Sequence, residues 1–475
     1  MPGPATAATG AALRNAGEEL VQLDAFGANG PYRARNHLTV PDVTGEPLAE
    51  LSIVPPLFVH RALAALRSAD PLPPGERAAA LERAGRLFAS GTAGGLDTDT
   101  YRELVSRCSG LPIPVVRAAT GIVADAAAQA AGTVLQARPQ AAVGDWRDPA
   151  TRAGAAVWTR RGNVFAVHAW VVARGVHALW LEALALGYRV VVRPSRREPF
   201  TPHRLVAALR EAGFGADHIA LTPTDHTVAD TVVAGADLAL VYGGDDVVRK
   251  YARHSTVLPQ GPGRAKILVT GTDWRAHLDT IVDSVADEGG TACVNATAVL
   301  VEGGPDRAAA VADALAERLA AIPSLPPRHP EAVLPVQPLA AARAIEGYLL
   351  RSAGSAVAHL GGDGVVDDLG DGSGVLRPAV FRLDRADAPQ TGVELGFPCV
   401  WVAPWNPAEG IAPLCDSLVV TAITDDERLL EQLVDEPTIS NVHVGDHPTY
   451  WMRPGLPHDR YLAEFLMRTK TVIRD

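Results

Sequence analysis

Cysteine is scarce in this chain of 475 residues. There are four, Cys108, Cys293, Cys399 and Cys415, with no CxxC pair and no matched spacing. A disulfide framework and a structural zinc site are therefore not expected, and the chain reads as a reduced, cytoplasmic protein. Basic charge is also in deficit: 43 Lys and Arg stand against 54 Asp and Glu, a net charge of −11. Without a basic surface to neutralise phosphates, a nucleic-acid partner is not expected. No apolar run approaches the ~20 residues of a membrane span. The opening MPGPATAATGAALRNAGEEL has neither the basic nor the apolar region of a signal peptide. Hydrophobic content of 47% and charged content of 20% are ordinary for a globular protein. The length is too great for one compact core and implies two or three domains.

The pattern along the chain changes once. The first ~20 residues are small and polar and read as disordered. Residues 20–51 give no regular pattern. Apolar residues then recur at helical spacing in LFVHRALAALRSA, GERAAALERAGRLFASG, TYRELVSRCSG and IPVVRAATGIVADAAAQAAGTVL. From Gly162 onward, strands and helices alternate. NVFAVHAW, YRVVVR, HIALT, DLALVY and AKILVT read as strands, and GVHALWLEALAL, TPHRLVAALREAG and DDVVRKYARHS as helices. Thr201 reads as the N-cap of the second helix and Gly213 as its stop. Short links between such elements build a parallel sheet with helices on both faces. A second α/β unit follows, with strands ATAVLVEGG, PCVWVAPW and SLVVTAIT; LGGDGVVDDLGDGSG between them reads as a loop.

The stretch Asp287-Glu288-Gly289-Gly290-Thr291-Ala292-Cys293 precedes the apolar run Ala298-Val299-Leu300-Val301. A Cys at a small-residue turn before a buried strand has the setting of an exposed nucleophile on a rigid support. The alternative is a small buried hydrophobe.

Six segments carry a resemblance: VVVRPSRREPFTPHRLVAALREAG, ADLALVYGGDDVVRKYA, QGPGRAKILV, DEGGTACVNA, VELGFPCVWVAPW and YLAEFLMRTKTV. In this order the chain resembles the aldehyde dehydrogenase superfamily, and within it the fatty acyl-thioester reductase branch. The resemblance implies an α/β fold with four parts. Residues 1–160 would form an N-terminal helical segment packed on the cofactor domain, and 161–270 a Rossmann-type NADP-binding core. Residues 271–435 would form the catalytic domain, and 436–475 a tail that pairs with a neighbouring subunit in a homodimer or homotetramer.

The resemblance also implies roles. Cys293 matches the catalytic thiol. Where the family carries a Lys-Pro-Ser-Glu motif, this chain has Arg193-Pro194-Ser195-Arg196. The family's carboxylate would repel a 2′-phosphate; Arg196, followed by Arg197, suits one. NADPH is therefore expected over NADH, although two solvated surface arginines would look the same. Gly243 and Gly244 match the stretch near the cofactor pyrophosphate, and Asp245 reads as a helix cap. Glu394 matches the glutamate that holds the nicotinamide ribose. The water-activating glutamate of the family is replaced by Gln260, an amide with no basicity near neutral pH. The oxyanion-hole Asn is expected near Val172, which offers no donor; Arg174 or Asn295 could substitute. Losing such a donor costs on the order of 10²–10³ in rate.

These features together imply NADPH-dependent reduction of an acyl thioester, carried on coenzyme A or a carrier protein, to an aldehyde. Two alternatives remain open: oxidation of aldehydes with an unusual base such as Glu288 or Asp287, and a non-catalytic partner that kept the fold. His177 reads as a satisfied packing histidine, and Cys108, Cys399 and Cys415 as structural residues.

Overall fold

The computed structural model describes residues 20–169, 174–271 and 273–475. The expected disorder of the first residues and the Val172 position lie outside these. Two seven-stranded sheets organise the chain. In the first, Val257–Gln260, Leu238–Tyr242, Val164–His168, Arg189–Arg193 and Ile219–Leu221 lie side by side and parallel. Val190, Val191 and Val192 are fully buried, as a β-branched run covered on both faces requires. The strand order reverses between Val164–His168 and Leu238–Tyr242. Ligands of open α/β sheets bind outside the carboxyl ends of strands at such a point.

The N-terminal segment contributes more than helices. Ala25–Gly27 and Gly30–Tyr32 extend the first sheet by antiparallel pairing. Val21–Leu23, Asn36–Pro41 and Pro47–Ile53 form a small sheet of their own. Four helices follow, Pro56–Ser68, Pro74–Ser90, Thr98–Ser109 and Ile113–Gln136. The last is, by length and composition, long and apolar enough to cross a membrane, contrary to the sequence reading. Here Val116, Val123, Ala127, Ala130 and Val134 on one face join the core shared with the first sheet.

Two local readings are corrected, and one segment left unassigned from the sequence, after Asp225, is helical. The helix after Arg189–Arg193 starts at Phe200, not after a Thr201 cap, and the Glu198 side chain accepts the Thr201 N–H at 2.8 Å. The segment after Asp225 is a helix, His226–Gly235. The Gly/Asp-rich segment holds an antiparallel pair, Val366–Asp368 with Ser373–Leu376.

The second sheet runs Val357–Leu360, Ala379–Arg382, Cys399–Trp405, Ala296–Glu302, Ala265–Val269, Ser417–Ile423 and Ile439–Val444, parallel except at its first pair. Phe397, Trp401 and Trp405 pack on one face; Ile267, Val299 and Val301 pack on the other. The tail returns to the first half of the chain. Met467–Val472 pairs antiparallel with Ala155–Arg160, and the Tyr188 hydroxyl donates to the Leu466 carbonyl at 2.5 Å.

Trp401 is fully buried, stacks 5.3 Å from Phe381 and donates its indole N–H to the Val393 carbonyl at 3.0 Å. Trp401→Ala is expected to destabilise the half of the chain built on the second sheet by about 3–5 kcal/mol. A lowered denaturation midpoint measures it.

Candidate active site

The Cys293 turn is built from left-handed backbone. Glu288, Gly289 and Gly290 have φ of 53°, 69° and 66°. Gly290 could not carry a side chain, because a Cβ there would stand 2.4 Å from the Pro398 nitrogen. Asn295 locks the turn from its other side. Its side-chain oxygen accepts the Ala292 N–H at 2.8 Å, and its amide donates to the carbonyls of Ser284 at 3.2 Å and Asp287 at 2.9 Å. Both amide hydrogens are thus committed to the scaffold, and Asn295 is not a spare oxyanion donor. The Arg174 side chain and Val172 lie outside the described residues.

Gly263 brings the other half of the site to this turn. A Cβ on Gly263 would lie 1.8 Å from the Cys293 carbonyl oxygen, so only glycine permits the contact. The Gly263 carbonyl in turn accepts the Leu418 N–H at 2.7 Å. Gln260, three residues earlier at the end of its strand, is linked to the thiol through Asp459 and His458.

The sequence reading did not include His458. Its Nε2 lies 3.6 Å from the Cys293 sulfur, and Cys293 is partly exposed. His458 Nδ1 stands 3.7 Å from Asp459 Oδ1, too far for a hydrogen bond, and has no hydrogen-bond partner among the described residues. The other Asp459 oxygen accepts from Gln260 Nε2 at 3.1 Å. The Asn441 amide holds the His458 carbonyl and donates to Leu418 O at 2.9 Å. Burial alone would depress the His458 imidazole, but the negative charges of Cys293 and Asp459 outweigh it and raise it to about 10. Asp459 is buried too, yet His458 and the Gln260 amide hold it below the usual carboxylate range. Tyr242, which pairs with Gln260 across two strands, is raised by burial and by the nearby Cys293 and Asp459 charges. Cys293, His458, Asp459, Gln260 and Tyr242 thus share one locus.

The cofactor-side residues lie at the carboxyl ends of the first sheet. Arg193 is buried and turned inward: Nε donates to Thr224 Oγ1 at 2.8 Å, Nη2 to Thr224 O at 3.0 Å, and Nη1 contacts His168 Nε2. Burial and the Arg193 charge pull His168 down to about 3, so it is neutral. Ser195 Oγ accepts the Arg197 N–H at 3.2 Å, and Arg197 Nη2 donates to Gln337 at 2.8 Å. Arg196 is one third exposed and pairs with Asp225 at 3.8 Å. So long and solvated a pair leaves a planar fork able to engage a phosphate dianion.

Gly244 caps the helix Asp245–Tyr251, with open space where its Cβ would be. A Cβ on Gly243 would meet Val247. Asp245 is not the cap; both its oxygens accept from Arg264 Nη2 at 2.7 Å. Glu394 accepts the Arg264 N–H at 2.7 Å, and burial pushes its carboxyl up to about 7 against the pull of the Arg264 and Gly263 N–H groups. Glu394, Arg264 and Asp245 form one bridge between the two sheets.

Other candidates fall away from the thiol chemistry. His177 is buried, accepts the Trp180 indole N–H at 3.2 Å, and is lowered to about 3 by burial; its Nε2 has no hydrogen-bond partner among the described residues. Cys108 and Cys399 are buried and Cys415 is half-buried.

A family model described as the aldehyde dehydrogenase family matches residues 40–450. The chain therefore belongs to the aldehyde dehydrogenase family, whose members are nicotinamide-dependent oxidoreductases of the aldehyde group. Similar solved structures include an indole-3-acetaldehyde dehydrogenase in complex with NAD+, at 18% identity and TM-score 0.80, covering 96% of this chain and 97% of that one. A gamma-glutamyl-gamma-aminobutyraldehyde dehydrogenase from Burkholderia cenocepacia follows at 20% identity and TM-score 0.78, covering 95% and 96%. Aldehyde dehydrogenase 21 from Physcomitrella patens, in complex with succinate, follows at 17% and 0.78, covering 96% and 98%. These likenesses establish the fold. No curated protein matches the chain by sequence.

Asn295→Ala removes three hydrogen bonds from the Cys293 turn. It is expected to destabilise the protein by about 1–3 kcal/mol and to slow alkylation of Cys293 by iodoacetamide. Thermal melting and mass-spectrometric labelling check the two effects.

Proposed function

We propose that the chain reduces an acyl thioester, carried on coenzyme A or a carrier protein, to an aldehyde with NADPH. Gln260 carries this reading. At the position where the resemblance implies a water-activating glutamate, this chain has an amide, and its N–H is engaged by Asp459. An amide does not take a proton from water near neutral pH. A thiol acceptor or donor removes the need for that base.

In this scheme the Cys293 thiolate attacks the thioester carbonyl. A carbon–sulfur bond to Cys293 forms, and the bond to the departing thiol breaks. When bound, NADPH supplies two electrons and a hydrogen to the acyl carbon. Collapse then restores the Cys293 thiolate and releases the aldehyde. Arg196 and Ser195, with Arg197 beside them, would take the 2′-phosphate, while Arg193 braces the strand end beneath them. Gly243 and Gly244 would line the pyrophosphate, and Glu394 would meet the nicotinamide ribose by exchanging its Arg264 contact. The tail strand Met467–Val472 supports a homodimer or homotetramer, because it ends the order of its sheet and presents an edge beyond Ala155–Arg160.

The second reading is NADP-dependent oxidation of an aldehyde to an acid. It is favoured by the aldehyde dehydrogenases among the similar structures, including an NAD+ complex. The readings separate on one assay. The reductase forms aldehyde from acyl thioester and NADPH, and Cys293→Ala lowers that rate by more than about 10³-fold. Acid formation from aldehyde and NADP⁺ with no thiol present would favour the second reading. Reductase activity surviving in Cys293→Ala would sink the mechanism.

Arg196→Glu is expected to weaken NADPH binding at least about tenfold while sparing NADH. Asp225→Asn should strengthen NADPH binding by releasing Arg196. Calorimetric titration of each variant with both nucleotides reads this directly.

A further inference from the structure

We propose that His458 is the acid–base catalyst at Cys293, and that through it the chain exchanges acyl groups between thiols without any nicotinamide. This rests on the thioester reading and extends it to a second activity.

The argument begins from the geometry. Cys293, His458 and Asp459 stand in series at 3.6 and 3.7 Å. A nucleophile beside an imidazole, with a carboxylate charge close behind it, is an arrangement suited to acyl transfer. The groups around His458 are few. Cys293 faces it from the turn before Ala296–Glu302, Asp459 adjoins it, and Gln260 and Arg460 reach the same Asp459 oxygen at 3.1 and 3.6 Å. Tyr242 lies within electrostatic reach of Cys293 and Asp459. None of these contacts involves the Arg196 end of the cofactor crevice.

The state of the sulfur governs the imidazole. While Cys293 is a thiolate, its charge keeps the buried His458 protonated. Acylation converts that thiolate into a neutral thioester. The main charge favouring the imidazolium is lost, while the burial that opposes it remains. His458 then releases its proton at the moment the departing thiolate needs one. The balanced step is thioester + Cys293 thiolate + His458 imidazolium giving acyl-Cys293 + free thiol + neutral His458. A second thiol gives its proton to neutral His458, attacks acyl-Cys293 and restores the starting pair. The sum, RCO–SR′ + R″SH giving RCO–SR″ + R′SH, consumes no redox equivalent. Asp459, 3.7 Å from Nδ1 and held by Gln260, acts on the imidazole through its charge.

The test uses the full chain with nicotinamide removed, acetyl-coenzyme A or a longer acyl-coenzyme A as donor, and pantetheine as acceptor thiol. Acyl-pantetheine is followed by mass spectrometry. Wild type is expected to catalyse exchange, and His458→Gln to lose about 10²–10⁴-fold of it. Asp459→Asn keeps the imidazole and should lose less, with a displaced pH profile. In parallel, iodoacetamide labelling of Cys293 at pH 7 should slow at least tenfold in His458→Gln; it needs no substrate, and melting curves verify folding. Equal exchange or equal alkylation in wild type and His458→Gln would overturn the role of His458. A wild type that alkylates at Cys293 but exchanges no thioester would overturn the exchange activity; the same acyl-coenzyme A incubated with NADPH then tests the thioester reading separately, which falls only if no aldehyde forms.

Discussion

The contact between Gly263 and the Cys293 carbonyl is the constraint on which the site depends. No side-chain carbon fits between them. Because they touch, the end of a strand from the first sheet lies against the turn that opens a strand of the second. Gln260 is linked to the thiol across that approach through Asp459 and His458. The Arg264 bridge, at the very next residue, adds a second fastening. Its backbone N–H binds Glu394 beside the second sheet, and its guanidinium binds Asp245 beside the first. The nucleotide crevice and the thiol are therefore parts of one joint between the sheets.

The sequence reveals those parts of this arrangement that are local. Gly289-Gly290 before a β-branched run announces a tight turn ahead of a buried strand, and the turn has that form, with Cys293 partly exposed. The alternation after Gly162 discloses the parallel sheet, because helix and strand periods differ and the links are short. His458 is not legible in this way. It lies 165 residues from Cys293, within RPGLPHDR, a stretch without periodicity. A His-Asp dipeptide was the only signal, and such dipeptides are common on surfaces. His226–Gly235 is hidden for another reason: its Thr and Val residues favour strands, and packing overrides that preference. The strands between residues 20 and 53 are short and interrupted by Gly and Pro, so alternation never accumulates.

Charge placement distinguishes the two ends of the site. At the cofactor end, cations are held loosely or turned into the fold: Arg196 is paired at long range, and Arg193 braces the strand ends through Thr224 and His168. At the thiol end, charges are buried and mutually dependent, with His458 raised and Asp459 lowered by one another. A bound anion would thus be met by adaptable donors at one end, and a reacting carbonyl by a fixed electrostatic environment at the other.

The distance along the chain between Cys293 and His458 has a consequence for biosynthesis. Those 165 residues correspond to roughly 8–33 s of translation at ~5–20 residues per second. Throughout that interval the thiol exists on the nascent chain without its imidazole. Whatever reactivity depends on His458 therefore arises only after the C-terminal segment has emerged and docked.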